Sequence, residues 1–246
     1  MFMVLAYLLA QSVAFDATKV TMGVARTVAT VDTGTIAGEP WRLAWSPDGN
    51  QLYLAAMKRQ GTNMVLTHHV IDAASGAISK VETEPEWAQS YWTWKSDKAS
   101  PADPAFAIQL DTQVKNESAT ARPMGGDLAR GGTSTASGAS IDEVAGQSSQ
   151  NVMIITLLLK GEVLGQWKGE PFVPGLTFGW APKSTPAVAY VGKDGRLMLM
   201  DSQGRKRKVD GTKDVRLPAW SVDARQIGWI EKQDRNRFRV MAAGIE

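Results

Sequence analysis

The sequence predicts an all-β protein assembled from a repeated strand–turn–strand unit. Three observations predict it. A strand–turn–strand pattern recurs along the chain, turn-forming residues separate its apolar runs, and helical periodicity is weak throughout. The 246 residues include 43% hydrophobic side chains, 23 Gly and 9 Trp. That balance suits many strands and turns around one core or a row of small ones.

The clearest unit is WRLAWSPDGNQLYLAAM at 41–57. It returns as LTFGWAPKSTPAVAYVGKDGRLMLMDSQG at 176–204 and as VRLPAWSVDARQIGWIEK at 215–232. A weaker copy is YWTWKSDKASPADPAFAIQLD at 91–111. Each unit reads as an apolar strand ending in Trp, a polar turn, and a strand of alternating apolar residues. The anchoring Trp45, Trp94, Trp180 and Trp220 are 49, 86 and 40 residues apart. Blade-type repeats run to about 40–45 residues, so two intervals fit and one is nearly double. The excess falls in 116–150, which is rich in Gly, Ser, Thr and Ala and has no aromatic residue. It is expected to be a mobile insertion, because it buries too little apolar surface to offset its ordering entropy. Beyond it, 151–167 reads as two strands joined at Lys160-Gly161.

Turn chemistry supports the unit. In Ser46-Pro47-Asp48-Gly49, Pro presets φ, Asp can bond nearby backbone, and Gly tolerates positive φ. Gln51, Tyr53 and Ala55 then face one way, and Leu52, Leu54 and Ala56 the other. Asp194-Gly195 is a hairpin signal between AVAYV and LMLM. The stretch EWAQSYWTW is read as strand, with Trp92 and Trp94 on one face and Tyr91 on the other.

AWSPDGNQLYLA resembles the WSPDG-type WD40-like repeat of TolB-like bacterial β-propellers. PAWSVDARQIGWIEK keeps Trp220, Ser221 and Asp223, but has Val222 for Pro, and Arg225, after Ala224, is read as replacing Gly. FGWAPKSTPAVAYV keeps Trp180 and Pro182. The resemblance implies a small propeller of four or five four-stranded antiparallel blades, stacked radially so that apolar faces are buried. The last repeat has three strands. Residues 25–32 are therefore expected to supply its outer strand and close the ring.

Little catalytic chemistry is legible. With no cysteine, thiolate nucleophiles and Cys-ligated metals are excluded. There is no nucleotide-phosphate loop and no G-x-S-x-G. His68 and His69 are the only histidines, and on a strand they face opposite sides. No metal site and no cofactor is expected. Asp48, Asp97, Asp194 and Asp223 either line a rim as a cation site or satisfy their own turns. The latter is the plainer reading. Arg205-Lys206-Arg207-Lys208 reads as a charged edge strand rather than an anion dock. The net charge of +2 gives no reason to expect nucleic acid. Trp87, Tyr91 and Trp92 are either a platform for a partner or packing between blades.

Met1–Ala10 is uncharged and apolar, and Ser12-Val13-Ala14 offers small residues before a cleavage site after Ala14. Residues 1–14 are read as a signal peptide, although no Lys or Arg precedes the apolar run. The mature chain, 15–246, is expected to be one domain without a membrane span, periplasmic or secreted. The function that follows is a non-catalytic, protein-binding or scaffold propeller of the cell envelope. The alternatives are a hydrolase acting on a glycan or peptide at the central mouth, or the propeller accessory of a truncated peptidase.

Overall fold

The computed structural model describes residues 15–61, 63–95, 98–115, 150–169, 177–182, 184–192 and 194–246. The expected signal peptide, Asp97 and most of the 116–150 insertion lie outside them.

The fold is all-β and propeller-like, with four antiparallel sheets. The first runs β2 (Glu39–Trp45), β3 (Gln51–Gln60), β4 (Asn63–Asp72), β5 (Ile78–Val81). The second runs β6 (Phe106–Lys115), β7 (Gln150–Leu159), β8 (Glu162–Gly169). The third runs β9 (Phe178–Trp180), β10 (Ala187–Val191), β11 (Leu197–Asp201), β12 (Lys206–Lys208). In the fourth, β13 (Val215–Trp220), β14 (Gln226–Lys232) and β15 (Arg237–Gly244) are joined by β1 (Arg26–Asp32). Thus the segment expected from 25–32 does add to the last repeat, pairing antiparallel with β15 from Arg26↔Ala242 to Asp32↔Arg237.

The second sheet departs from expectation. It has three strands among the described residues, with only the Ala99↔Ala107 bridge on the free edge of β6, and Glu86–Lys95 forms helix α1 rather than a strand. Pro85 and Glu86 open the helix and Lys95 lies in its last turn, as the backbone dipole favours. Trp87, Tyr91 and Trp94 fall at i, i+4 and i+7, which is one helix face. The helix packs against β2 and β9. β13 likewise packs against β2 on one side and β9 on the other.

Successive antiparallel strands reverse direction, so their connections alternate between two rims. The hairpins β3–β4, β10–β11 and β14–β15 emerge on one, here the upper rim. Lys115 and Gln150 pair at that rim too, so Gln150 belongs to β7 and not to the insertion. The β2–β3 and β13–β14 turns lie on the lower rim.

The core divides into three clusters. One joins the first sheet to the fourth, through Leu43, Trp45, Leu52 and Leu54 against Leu217, Ala219 and Ile230. Another joins the fourth to the third, around Trp220, Trp229 and Leu199. The last joins the third to the second, around Phe106, Ile155, Phe178 and Trp180. Trp94 packs against both the first and the last of these. The third and fourth sheets approach closely at Gly179, where a Cβ would stand 2.5 Å from the Pro218 carbonyl and 2.7 Å from Lys95 Cε. No side chain fits there.

Candidate functional site

The repeat-motif residues form a structural frame. Trp45, Trp180 and Trp220 are fully buried. Trp45 donates its indole N–H to the Ala219 carbonyl at 3.1 Å, and Trp220 donates to the Gly179 carbonyl at 3.1 Å. Each bond runs to a neighbouring sheet and ends on the residue before that sheet's own tryptophan. Ser46 Oγ donates to Asp48 at 2.6 Å and accepts the Gln51 N–H at 2.9 Å. Ser221 repeats this with Asp223 at 2.6 Å and the Gln226 N–H at 2.8 Å. The Ser46 hydroxyl bond, followed by the Asn50 backbone N–H, holds the Asp48 carboxyl below its usual range. Gly49 has φ 71° and Ala224 has φ 61°. The residue in the glycine position of the last repeat is therefore Ala224, not Arg225. Pro182 starts a short turn in which the Thr185 N–H reaches its carbonyl at 2.9 Å.

The aromatic residues of 87–94 are helical, which changes what each one touches. Tyr91 is 2% exposed and donates its hydroxyl to the Trp220 carbonyl at 2.6 Å, so its ring is interior. Trp87 and Trp92 are half-buried. Trp87 meets Tyr53 edge-on at 6.3 Å. The Arg42 guanidinium lies 4.9 Å and the Lys95 ammonium 5.1 Å from the Trp92 ring centre.

A polar cluster that the sequence did not reveal lies beside the helix. The Tyr53 hydroxyl and His68 Nδ1 are 2.7 Å apart, and Arg42 Nη1 is 3.0 Å from Glu84. Burial, followed by the nearby Glu84 charge, raises Tyr53 well above the usual phenol range. His69 faces the other way, buried, and burial lowers its pKa. The hydroxyl that His68 meets is thus a phenol resistant to ionisation, not a serine poised for attack. Lys95 Nζ is fully buried with no hydrogen-bond partner among the described residues, and burial pushes its pKa down to about 7. Alternation of i and i+2 along β3 and β4 would have suggested the Tyr53–His68 contact. Its charged partners come from β2 and from the segment before α1, which no local pattern connects.

On the upper rim, between the first and fourth sheets, is a groove of about 650 Å³. Pro40, Trp41, Met57 and Met64 give it apolar walls, and Lys58, Arg59 and Arg216 give it positive charge. Glu39 also lines it, 3.9 Å from Arg216. The β3–β4 hairpin stands above it with Met64 59%, Val65 38% and Leu66 37% exposed. On the lower rim, Arg205 joins Asp16 and Asp201, each at 2.7 Å, and so ties down the N-terminal segment. Lys206–Lys208 form the edge strand β12, with Lys208 bonded to Asp194 at 2.6 Å.

Neither family models nor curated proteins give a match to this sequence. Among solved structures, TolB from Acinetobacter baumannii is similar over 85% of this chain and 43% of its own length, with 12% identity and a TM-score of 0.25. The acylaminoacyl peptidase of Pyrococcus horikoshii is similar over 82% of this chain and 30% of its own, with 14% identity and a TM-score of 0.29. An oligogalacturonate lyase in complex with manganese is similar over 83% and 64%, with 8% identity and a TM-score of 0.24. The chain thus spans under half the length of the first two and under two thirds of the third. Likeness at this level says nothing about activity, and the propeller-like description rests on the chain's own sheets. No helix among the described residues is long and apolar enough to cross a membrane.

Proposed function

We propose that the chain is a non-catalytic, exported protein-binding module of the cell envelope. Its four sheets form a small ring closed by β1, and its upper rim holds a segment of a partner protein. The observation that carries this reading is the upper-rim groove with its apolar walls and basic side chains. Aromatic residues, Met and Arg are the types enriched where proteins meet. A volume of about 650 Å³ is the size of a pocket for one anchoring segment. Lys58, Arg59 and Arg216 outnumber Glu39, so an acidic segment fits better than a basic one.

The test uses residues 15–246 as bait in envelope extract, with Trp41→Ala beside it. One reproducible partner, whose retention falls at least about tenfold in the variant, is the expected result. Turnover of a glycan or peptide library by the purified chain would instead sink the non-catalytic reading. N-terminal sequencing of the protein recovered from the envelope checks export, with Phe15 expected first.

A further inference from the structure

The β3–β4 hairpin carries a strand edge that is only partly paired among the described residues. β4 pairs with β3 along its whole length, Asn63 to Asp72. On its other side it pairs with β5 only from His68 to Ile71. In an antiparallel sheet, alternate residues direct both N–H and C=O to the same side. The Asp72 N–H bonds the Ala77 carbonyl, on the β5 side. Counting back by twos, Val70, His68, Leu66 and Met64 point their backbone groups that way too. β5 stops opposite His68, so no strand among the described residues meets the N–H and C=O of Met64 and Leu66.

Exposed edges are normally blunted by charge, proline or a covering loop. Here Met64, Val65 and Leu66 are apolar and exposed. The nearby charges are on β3, where Lys58 pairs with Val65 and Arg59 with Met64. Both are positive, so two copies of this edge would repel each other, and an acidic strand would be attracted.

We infer that the open edge of β4 at Asn63–Thr67 is a strand-addition site for an extended partner segment of alternating apolar and acidic residues. Its backbone pairs with Met64 and Leu66, and its acidic side chains, all on one face, reach across Met64 to Arg59, while Lys58 lies on the other face. This rests on the protein-binding reading above and specifies the mode of capture.

The probe is a capped hexapeptide of alternating Val and Glu, added to residues 15–246 while amide hydrogen exchange is followed by NMR. In the free protein, Met64 and Leu66 should exchange fast and Val65 and Thr67 slowly. Saturating peptide should slow Met64 and Leu66 at least about tenfold. The same peptide N-methylated at alternate residues, and a Val/Lys peptide, should leave them fast. Leu66→Pro should abolish the effect, because the N–H it removes faces away from β3 and the hairpin keeps its own bonds. Its melting temperature checks the fold, and the N-methylated peptide tests the same point on the unaltered chain.

No slowing at Met64 and Leu66 overturns the proposal. So does equal slowing by the N-methylated peptide, which would mean side-chain docking alone. Slowing that grows with protein concentration without peptide would assign the edge to a second copy of the chain and also overturn it. If an envelope partner is lost on Trp41→Ala but retained by Leu66→Pro, the binding module stands and strand addition falls.

Discussion

Lys95 and Ala224 both sit against their local preferences. Lys95 is buried, its amine bonded to nothing among the described residues, and Trp92 gives it only a ring face. Its pKa falls from 10.5 to about 7, so the unfolded chain binds a proton that the folded chain gives up. Stability should therefore rise as pH goes from about 7 to about 10.5, and stay level in this respect below 7. Lys95→Met removes the amine and keeps an unbranched apolar chain out to the ε position. Urea unfolding at pH 7 should show it more stable by roughly 2–4 kcal/mol, with the advantage shrinking toward pH 10. An advantage independent of pH would count against this account. Ala224 holds a φ of 61°, where a Cβ is strained. Ala224→Gly should gain a few tenths to about 1 kcal/mol in the same assay, where glycine elsewhere usually costs stability.

The helix decides the arrangement at the scale of elements. α1 stands where the repeat pattern called for an inner strand, and Trp94 touches two core clusters from there. Trp94→Ala should cost about 3 kcal/mol by thermal unfolding, because it empties a junction rather than one sheet. Tyr91→Phe removes a buried bond to the Trp220 carbonyl and should cost about 1–2 kcal/mol. The turns were far more legible than the helix. The Ser46–Asp48 and Ser221–Asp223 bonds span only two residues, so local spacing contains them. In EWAQSYWTW the aromatics at 92 and 94 mimic strand alternation. The helix signal was Pro85-Glu86 followed by the 87, 91, 94 spacing.

At the scale of the molecule, first and last segments depend on each other. β1 covers the β15 edge with Val28, Ala29 and Val31 buried. A chain beginning at Thr33 should lose its single cooperative transition in calorimetry, and a peptide of residues 25–32 should restore it. A truncated chain with unchanged melting would show that β1 adds no stability. The groove, too, belongs to this scale. Trp41 and Met57 come from the first sheet and Arg216 from the fourth, far apart in the chain.

The sequence by itself determined the repeated strands, the turns between them, the tryptophan at each inner strand of the clear repeats, and the N-terminal strand added to the last repeat. These follow from period-two alternation and from turn residues whose bonds are local. Only the tertiary structure decided that 86–95 coils into a helix. There an apolar aromatic run satisfies either period, and contacts with β2 and β9 select one. Only the tertiary structure brought Tyr53 to His68 and Arg42 to Glu84, buried the Lys95 amine with no hydrogen-bond partner among the described residues, and left the Met64–Leu66 edge unpaired by any described strand. Those features depend on where each neighbouring element stops, and strand length is set by packing between sheets rather than by any residue within them.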